Sequence, residues 1–389
     1  ILARDARPHG GSLLSLAEGL LAYRGRRVLI AGLVPTPTVG VLVRDQRAAG
    51  GVMLTASHNP LEWNALKLFN HEGLILTPAE FDQLKPIFEN PPEIDAYPYL
   101  PGGSSETLGD PLRAHFDSAL RQVDPEIIRK RKFRVVVDGC HSVGGIAVPA
   151  ILKEVGAEVV ELDCTPDGQF SRGLEPIPEN IQALGQEVQK NNADIGMAVD
   201  PDADRLALVS DRGEPIGEEL TLVMAADAVL GAGGHGLVAN LSSTLILDKV
   251  AEKHGSPMHR SKVGESHVVD LIHEKQASIG GEGNGGVILP AVQGGRDSIS
   301  GALLVLQLLA REGKSVTEMV ATYPRSEMVK AKIPATDGLW ESLESKAGDW
   351  WPDAEVNRLD GLKWIWPDKW IHLRPSNTEP IIRILAEAT

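Results

Sequence analysis

Short apolar runs of strand length alternate with segments of helical spacing over most of this chain, and no other feature constrains its fold as strongly. Arg27 to Val34 reads as a strand, followed by a Pro35-Thr36-Pro37 turn and a helix from about Thr38; Gly51 to Leu54 is the next strand. A second round opens with strands at Phe133 to Gly139 and Ala157 to Leu162. It continues with a helix over Glu179 to Lys190, which carries Ile181, Leu184 and Val188 on one face. Strands at Ile195 to Val199 and Leu206 to Val209 close it. A third round holds a strand at Leu237 to Leu241, a helix at Thr244 to His254 and a strand–loop–strand at Ser278 to Leu289. An apolar helix from Ser298 to Arg311, closed by Gly313, follows. No strict sequence repeat relates the rounds. The pattern predicts an α/β fold of three successive α/β units.

Two stretches depart from the alternation. Asn90 to Thr107 is rich in Pro, Gly and Ser and reads as loop. From about Pro334 the chain carries six of its seven tryptophans and ends in the short runs Trp370 to Leu373 and Ile381 to Leu385, which predicts a smaller C-terminal α+β domain. The expected division is 1–120, 121–229, 230–333 and 334–389. Aromatic residues make up only 4%, so the cores must rest on Val, Leu, Ile and Ala.

A net charge of −15 argues against nucleic acid or an anionic membrane as partner, while leaving room for a small phosphorylated ligand held by local donors. No apolar run reaches the roughly 18 residues needed to span a bilayer. Ile1 to Arg7 is charged, lacks the core of a signal peptide and reads as starting inside a strand. Cys140 and Cys164 follow separate strands, and two cysteines in 389 residues read as reduced thiols of a cytoplasmic protein.

Four loops carry the chemistry. Thr55-Ala56-Ser57-His58-Asn59-Pro60 places a serine after a buried strand in a proline-terminated turn, a good place for a covalent intermediate. There is no G-x-S-x-G elbow. His58 is adjacent in sequence, where side chains usually diverge, so it makes a poor base for Ser57, although it stays in the candidate catalytic set. Lys67 is a candidate acid/base or charge partner; an ordinary surface lysine is the alternative.

Asp200, Asp202 and Asp204 stand at i, i+2, i+4 between two apolar strands, in a loop constrained by Pro201. Three carboxylates without His or Cys favour a hard cation, Mg²⁺ first. An EF-hand would need Gly and Glu where Arg205 and Asp211 stand. Arg205 beside the carboxylates suits a phosphate at the metal. In the cluster from Gly280 to Gly286, Glu282 and Asn284 are displayed on bare backbone and suit sugar hydroxyls; a flexible hairpin loop is the alternative. Lys262 adds a positive contact nearby. Arg374, Ser376, Asn377 and Thr378 combine a guanidinium, hydroxyls and an amide in an anion nest.

These segments, in this order, resemble the α-D-phosphohexomutase superfamily, the phosphoglucomutase and phosphomannomutase group, over essentially the whole chain. The resemblance implies three related α/β domains with mixed sheets plus a smaller C-terminal α+β domain around a central cleft. It makes Ser57 the phosphorylated residue and, with Asp200, Asp202 and Asp204, a ligand of Mg²⁺. Lys67 falls where the family has a lysine implicated in proton transfer, Glu282 and Asn284 fall in its sugar loop, and Arg374, Ser376, Asn377 and Thr378 in its distal phosphate loop. The family opens with a glycine-rich strand carrying an arginine that faces the phosphoserine, and this chain starts after that point. The implied reaction moves a phosphoryl group between the 6- and 1-positions of a hexose phosphate through a bisphosphorylated hexose, which also serves as activator. The Gly281 to Gly286 loop resembles phosphoglucosamine mutases, with phosphomannomutase/phosphoglucomutase activity close behind. The expected state is a monomer or homodimer. A metal-dependent sugar phosphatase and a non-catalytic sugar-phosphate-binding protein are the rival readings.

Overall fold

Each round of strand–helix alternation folds into its own mixed sheet in the computed structural model, which describes residues 1–93, 98–376 and 380–389. The first sheet contains β1 (Leu2–Arg4), β2 (Arg27–Leu33), β3 (Gly51–Leu54), β4 (Leu66–Phe69) and β5 (Ser104–Thr107), in the order β4-β3-β1-β2-β5. The second contains β6 (Arg134–Asp138), β7 (Glu158–Leu162), β8 (Ile195–Val199) and β9 (Leu206–Val209), in the order β7-β6-β8-β9. The third contains β10 (Leu237–Asn240), β11 (Met258–Ser261), β12 (Ile279–Glu282) and β13 (Gly286–Ile288), in the order β11-β10-β12-β13. Leaving β5 aside, the three share one plan. The first strand lies between the second and third, parallel to both, and the fourth closes an antiparallel hairpin on the third.

That plan positions the site. The serine loop joins β3 to β4, the aspartate loop joins β8 to β9, and the glycine-rich loop joins β12 to β13. Each therefore leaves the carboxyl end of a strand that pairs in parallel with its sheet's central strand, where α/β proteins gather ligands.

The second and third units share one apolar core. Helix Ser298–Glu312 is buried from Ser298 to Leu309, and its Leu303, Leu304 and Leu308 join a cluster with Val135 and Val137 of β6 and Ala239 of β10. A helix apolar on all sides has to be enclosed this way. Its N-terminus is capped by Asp297, whose carboxylate accepts from the Ile299 N–H.

Two local expectations change. Ser104–Thr107, expected as loop, is strand β5, paired in parallel with β2. All four of its residues are exposed, so they carry no apolar alternation, and only backbone pairing to an edge identifies the strand. The helix expected from about Thr38 begins at Thr36, with Pro37 in its first turn, where proline's missing N–H leaves no bond unmade.

The last domain is one antiparallel sheet: β14 (Glu327–Pro334), β15 (Glu355–Asn357), β16 (Leu362–Ile365), β17 (Lys369–Pro375) and β18 (Ile381–Ala388), in the order β14-β18-β17-β16-β15. Trp364 stacks on Trp350 and meets Trp351 edge-on, which accounts for the tryptophan-rich tail. This domain grips the third unit through segment 241–245. Lys363 donates to the Leu241 carbonyl, His372 Nδ1 lies 2.9 Å from Ser242 Oγ, and Glu387 accepts from Thr244 Oγ1 and the Leu245 N–H.

Burial, with Arg260 adding to it, drives the Lys363 ammonium down to about 7. Between that value and the ordinary lysine range, the unfolded chain binds a proton that the folded chain does not. This group's contribution is therefore least favourable below pH 7 and rises with pH, by at most about 1.4 kcal/mol per unit. The urea midpoint of Lys363→Met is expected to climb less between pH 7 and 9 than that of the wild type. Equal slopes in the two proteins would reject the assignment.

Candidate active site

A left-handed backbone at Ser57, with φ of 49°, turns the serine loop sharply after β3. Such a residue costs about 1–3 kcal/mol and persists only where its surroundings over-determine it. Here the surroundings are Arg7 and Asp5, both fully buried. Arg7 donates to the carbonyls of Ser57 (2.8 Å), Asn59 (2.6 Å), Pro60 (2.6 Å) and Trp63 (2.9 Å), and its Nε meets Asp5 Oδ2 at 3.2 Å. Asp5 Oδ2 also accepts from Thr55 Oγ1, which in turn accepts from the Ser57 N–H. The loop's carbonyls have no strand to pair with, and one guanidinium supplies their donors. The role of Arg7 escaped the sequence reading, because nothing local marks an arginine that serves a loop some fifty residues away.

The same left-handed turn overturns the expectation for His58. Its Nδ1 lies 3.3 Å from Ser57 Oγ, because the turn brings two neighbouring side chains to one side. Burial and the nearby Arg205 push the His58 pKa down, so the imidazole is neutral near pH 7.

Ser57 Oγ donates to Asp200 Oδ2 at 2.9 Å, across 143 residues of sequence. Asp200, Asp202 and Asp204 are all buried, with one carboxylate oxygen of each within 4.8 Å of the others. Asp200 Oδ1 accepts from the N–H groups of Asp204 and Arg205. Asp202 Oδ2 accepts from Thr36 Oγ1 (2.5 Å) and Lys67 Nζ (2.6 Å). Asp204 Oδ2 accepts from Lys67 Nζ (3.1 Å) and Arg296 Nη2 (2.8 Å).

The remaining oxygens, Asp202 Oδ1 and Asp204 Oδ1, are buried with no hydrogen-bond partner among the described residues, Arg205 Nε standing 3.8 Å from the second. Unpaired buried carboxylate oxygens are costly, and an all-oxygen donor set suits a hard divalent cation, so these residues fit a metal ion. Electrostatics agree. Burial and the two neighbouring carboxylates push the Asp200 pKa well up. Against the same burial, Arg296, Lys67 and Arg205 hold Asp204 below the usual carboxylate range. Burial works against the Lys67 ammonium, yet Asp202 and Asp204 raise its pKa, so it keeps its proton in this arrangement.

The glycine-rich loop abuts the aspartate loop directly, with the Leu206 N–H donating to the Gly285 carbonyl at 3.0 Å. Gly285 has φ of 83°, and a Cβ there would lie 2.4 Å from the Leu206 oxygen, so only glycine allows this approach. Glu282 Oε1 accepts from Asn240 Nδ2 and the Gly264 N–H, and Oε2 from Arg296 Nη1 at 3.1 Å. Arg296 thus bridges Asp204 and Glu282, and its Nε also faces Glu265 at 3.3 Å. Its only sequence signal is a position between a Gly-Gly pair and a helix cap, and it went unread.

The other expected contacts are looser. Arg205 turns its Nη1 to Glu175 at 2.7 Å, and its Nε faces Asp204 Oδ1 as an ion pair at 3.8 Å, beyond hydrogen-bond distance. Asn284 caps its own turn by accepting from the Gly286 N–H. Lys262 is exposed at the end of β11. Arg374 pairs with Asp360, whose carboxylate also accepts from the Val263 N–H, so β17 approaches that same loop. Ser376 follows β17 and its N–H donates to the Ile381 carbonyl. Asn377 and Thr378 lie outside the described residues.

Family models described as phosphoglucomutase/phosphomannomutase alpha/beta/alpha domains I, II and III match residues 1–94, 113–213 and 217–326. A relative from Methanopyrus kandleri named "Probable phosphoglucosamine mutase" is 32% identical over 398 residues, covering 100% of this chain and 85% of the relative. A Thermococcus kodakarensis relative named "Phosphoglucomutase/phosphomannomutase" is 33% identical over 393 residues, with coverage of 100% and 85%. The crystal structure of a phosphoglucomutase/phosphomannomutase family protein from Burkholderia thailandensis superposes with a TM-score of 0.86 at 27% identity, covering 100% of this chain and 84% of that one. With three successive domain models matched and relatives above 30% identity aligned along its whole length, this chain belongs to the α-D-phosphohexomutase superfamily and is a mutase.

Proposed function

We propose that this mutase moves a phosphoryl group between the 6- and 1-positions of a hexose phosphate through phosphorylated Ser57 and a bisphosphorylated hexose. One observation carries the reading: Ser57 Oγ is held 2.9 Å from Asp200 Oδ2, beside the Oδ1 atoms of Asp202 and Asp204, which accept no hydrogen bond among the described residues. The three aspartates, with a phosphate on Ser57, would hold Mg²⁺, which neutralises charge on the transferring group. In the transfer, the bond from Ser57 Oγ to phosphorus breaks as a sugar hydroxyl oxygen bonds to that phosphorus. The hydroxyl proton ends on Ser57 Oγ. His58, neutral and 3.3 Å from that oxygen, suits the proton's passage, while protonated Lys67 suits donation and charge balance. The return transfer, from the sugar's other phosphate, regenerates phospho-Ser57. Arg374 and Ser376, with Asn377 and Thr378, would hold the phosphate that is not reacting.

Glucosamine phosphate is the favoured substrate, supported by the relatives named "Probable phosphoglucosamine mutase"; the Glu282 carboxylate can accept from an ammonium or a hydroxyl and fits either class of sugar. Phosphomannomutase/phosphoglucomutase activity is the second reading, supported by the Thermococcus kodakarensis relative. Cytoplasmic residence belongs to the same reading, supported by two free thiols. Comparing kcat/KM for glucosamine, glucose and mannose 6-phosphates tests the choice. Glucosamine 6-phosphate is expected to lead by about tenfold or more, on the scale of one recognised polar group. Equal or better turnover of the others would select the second reading. Stoichiometric release of inorganic phosphate would instead favour the phosphatase alternative.

A further inference from the structure

The aspartate loop packs three acidic side chains together, and its own backbone leaves only a few bonds to hold them. Ser142 of the same unit donates through Oγ to the Pro201 carbonyl, and further anchors come from two other units. From the first, Thr36 donates through Oγ1 to Asp202 Oδ2 and through N–H to the Asp202 carbonyl at 2.9 Å. From the third, Arg296 donates to Asp204 Oδ2 and Ser298 Oγ to the Ala203 carbonyl at 2.7 Å. Between those two anchors stands Asp297, whose side chain turns the other way, to His115 Nε2 at 3.0 Å. His115 Nδ1 meets Thr38 Oγ1 at 2.9 Å, and Thr38 shares the first helical turn with Thr36. Thr36, Thr38, His115, Asp297 and Ser298 are all buried.

We propose that His115 is a positioning residue for phosphoryl transfer, closing a ring that runs from Asp202 through Thr36, Thr38, His115, Asp297 and Arg296 to Asp204 and so sets the spacing of the metal-binding carboxylates. The proposal rests on the mutase reading above. Its physical basis is that Thr36 of the first unit and Arg296 and Ser298 of the third hold opposite sides of a loop whose Asp202 and Asp204 are also bridged by Lys67, and His115 joins the helical turn of Thr36 to the segment of Arg296 and Ser298. If it is lost, one buried link between the turn of Thr36 and the segment of Arg296 goes with it, while others such as Arg44 to the Val292 carbonyl remain, and a displacement of about 1 Å at a phosphoryl-transfer site is enough for a roughly hundredfold loss of rate. The imidazole reaches no reacting atom.

The test uses the full chain and four variants. His115→Leu removes both contacts. His115→Gln keeps an amide donor toward Asp297, and His115→Asn keeps an amide group toward the Thr38 hydroxyl. His115→Leu is expected to lower kcat about 30- to 100-fold with KM for sugar phosphate within about threefold. It is also expected to weaken Mg²⁺ binding about five- to tenfold by titration calorimetry. His115→Gln should restore most of both, because the bond to Asp297 carries the third-unit anchors. Thr38→Val, which trims one hydroxyl at the far side, covers the case in which His115→Leu fails to fold, and is expected to lower kcat about three- to tenfold. The proposal is overturned if folded His115→Leu or Thr38→Val keeps kcat and Mg²⁺ affinity within about twofold of the wild type, or if both fall with no recovery in His115→Gln. A wild type without mutase turnover would reject the functional reading alone, since the Mg²⁺ titrations still report whether the ring shapes the carboxylates.

Discussion

Ser57→Ala is expected to abolish mutase turnover, by roughly 10⁴-fold or more, while the protein stays folded. The variant loses the oxygen that carries the phosphoryl group between the two half-reactions, and no nearby group replaces a missing nucleophile. The loop itself should survive. Its shape is held by the four carbonyl contacts of Arg7 and by Thr55, none of which uses the serine hydroxyl. The lost bond to Asp200 leaves one carboxylate oxygen unpaired, a cost of about 1–3 kcal/mol that a bound cation offsets. Intact-mass measurement supplies a second readout: a phosphate adduct on part of the wild type and none on the variant. Undiminished turnover in Ser57→Ala would end the phosphoserine mechanism, whatever the mass spectrum showed.

Asp202→Asn is expected to weaken Mg²⁺ binding by two orders of magnitude or more and to slow transfer in parallel. The substitution removes one negative charge from a buried set and replaces the unpaired Oδ1 with a weaker ligand or a donor. Without metal two effects on stability oppose each other: relief of repulsion among three carboxylates within 4.8 Å, and loss of one charge partner of the buried Lys67 ammonium at 2.6 Å. Saturating Mg²⁺ raises the wild-type melting temperature by mass action, and that rise should nearly vanish in the variant. An equal Mg²⁺-induced shift in both proteins would remove Asp202 from the cation site.

Much of the fold could be read from local pattern. The strands around the aspartate loop, Ile195–Val199 and Leu206–Val209, lie where continuous apolar runs put them. Strand β5 could not be read, because an exposed edge strand pairs through backbone alone and leaves no apolar signature. Within the site, Ser57 and the three aspartates stood out by residue type and spacing. The bridging roles of Arg7, Thr36, His115 and Arg296 did not, because each acts on a partner far away in sequence, and His58 was misjudged because one left-handed dihedral reverses the usual divergence of neighbours.

Taken alone, the amino-acid order determined what covalent geometry and side-chain chemistry govern: alternating strands and helices, three carboxylates at alternate positions, a serine in a rigid turn, and with these the superfamily. Only the tertiary structure decided which groups meet. Three units of the same strand plan place their third-to-fourth-strand loops against one another, so that Ser57 faces Asp200, Lys67 lies between Asp202 and Asp204, and Arg296 links Asp204 to Glu282. Spacing along a strand is set within a few residues, whereas a contact across 143 residues depends on how buried surfaces of separate units pack, and no local pattern carries that information.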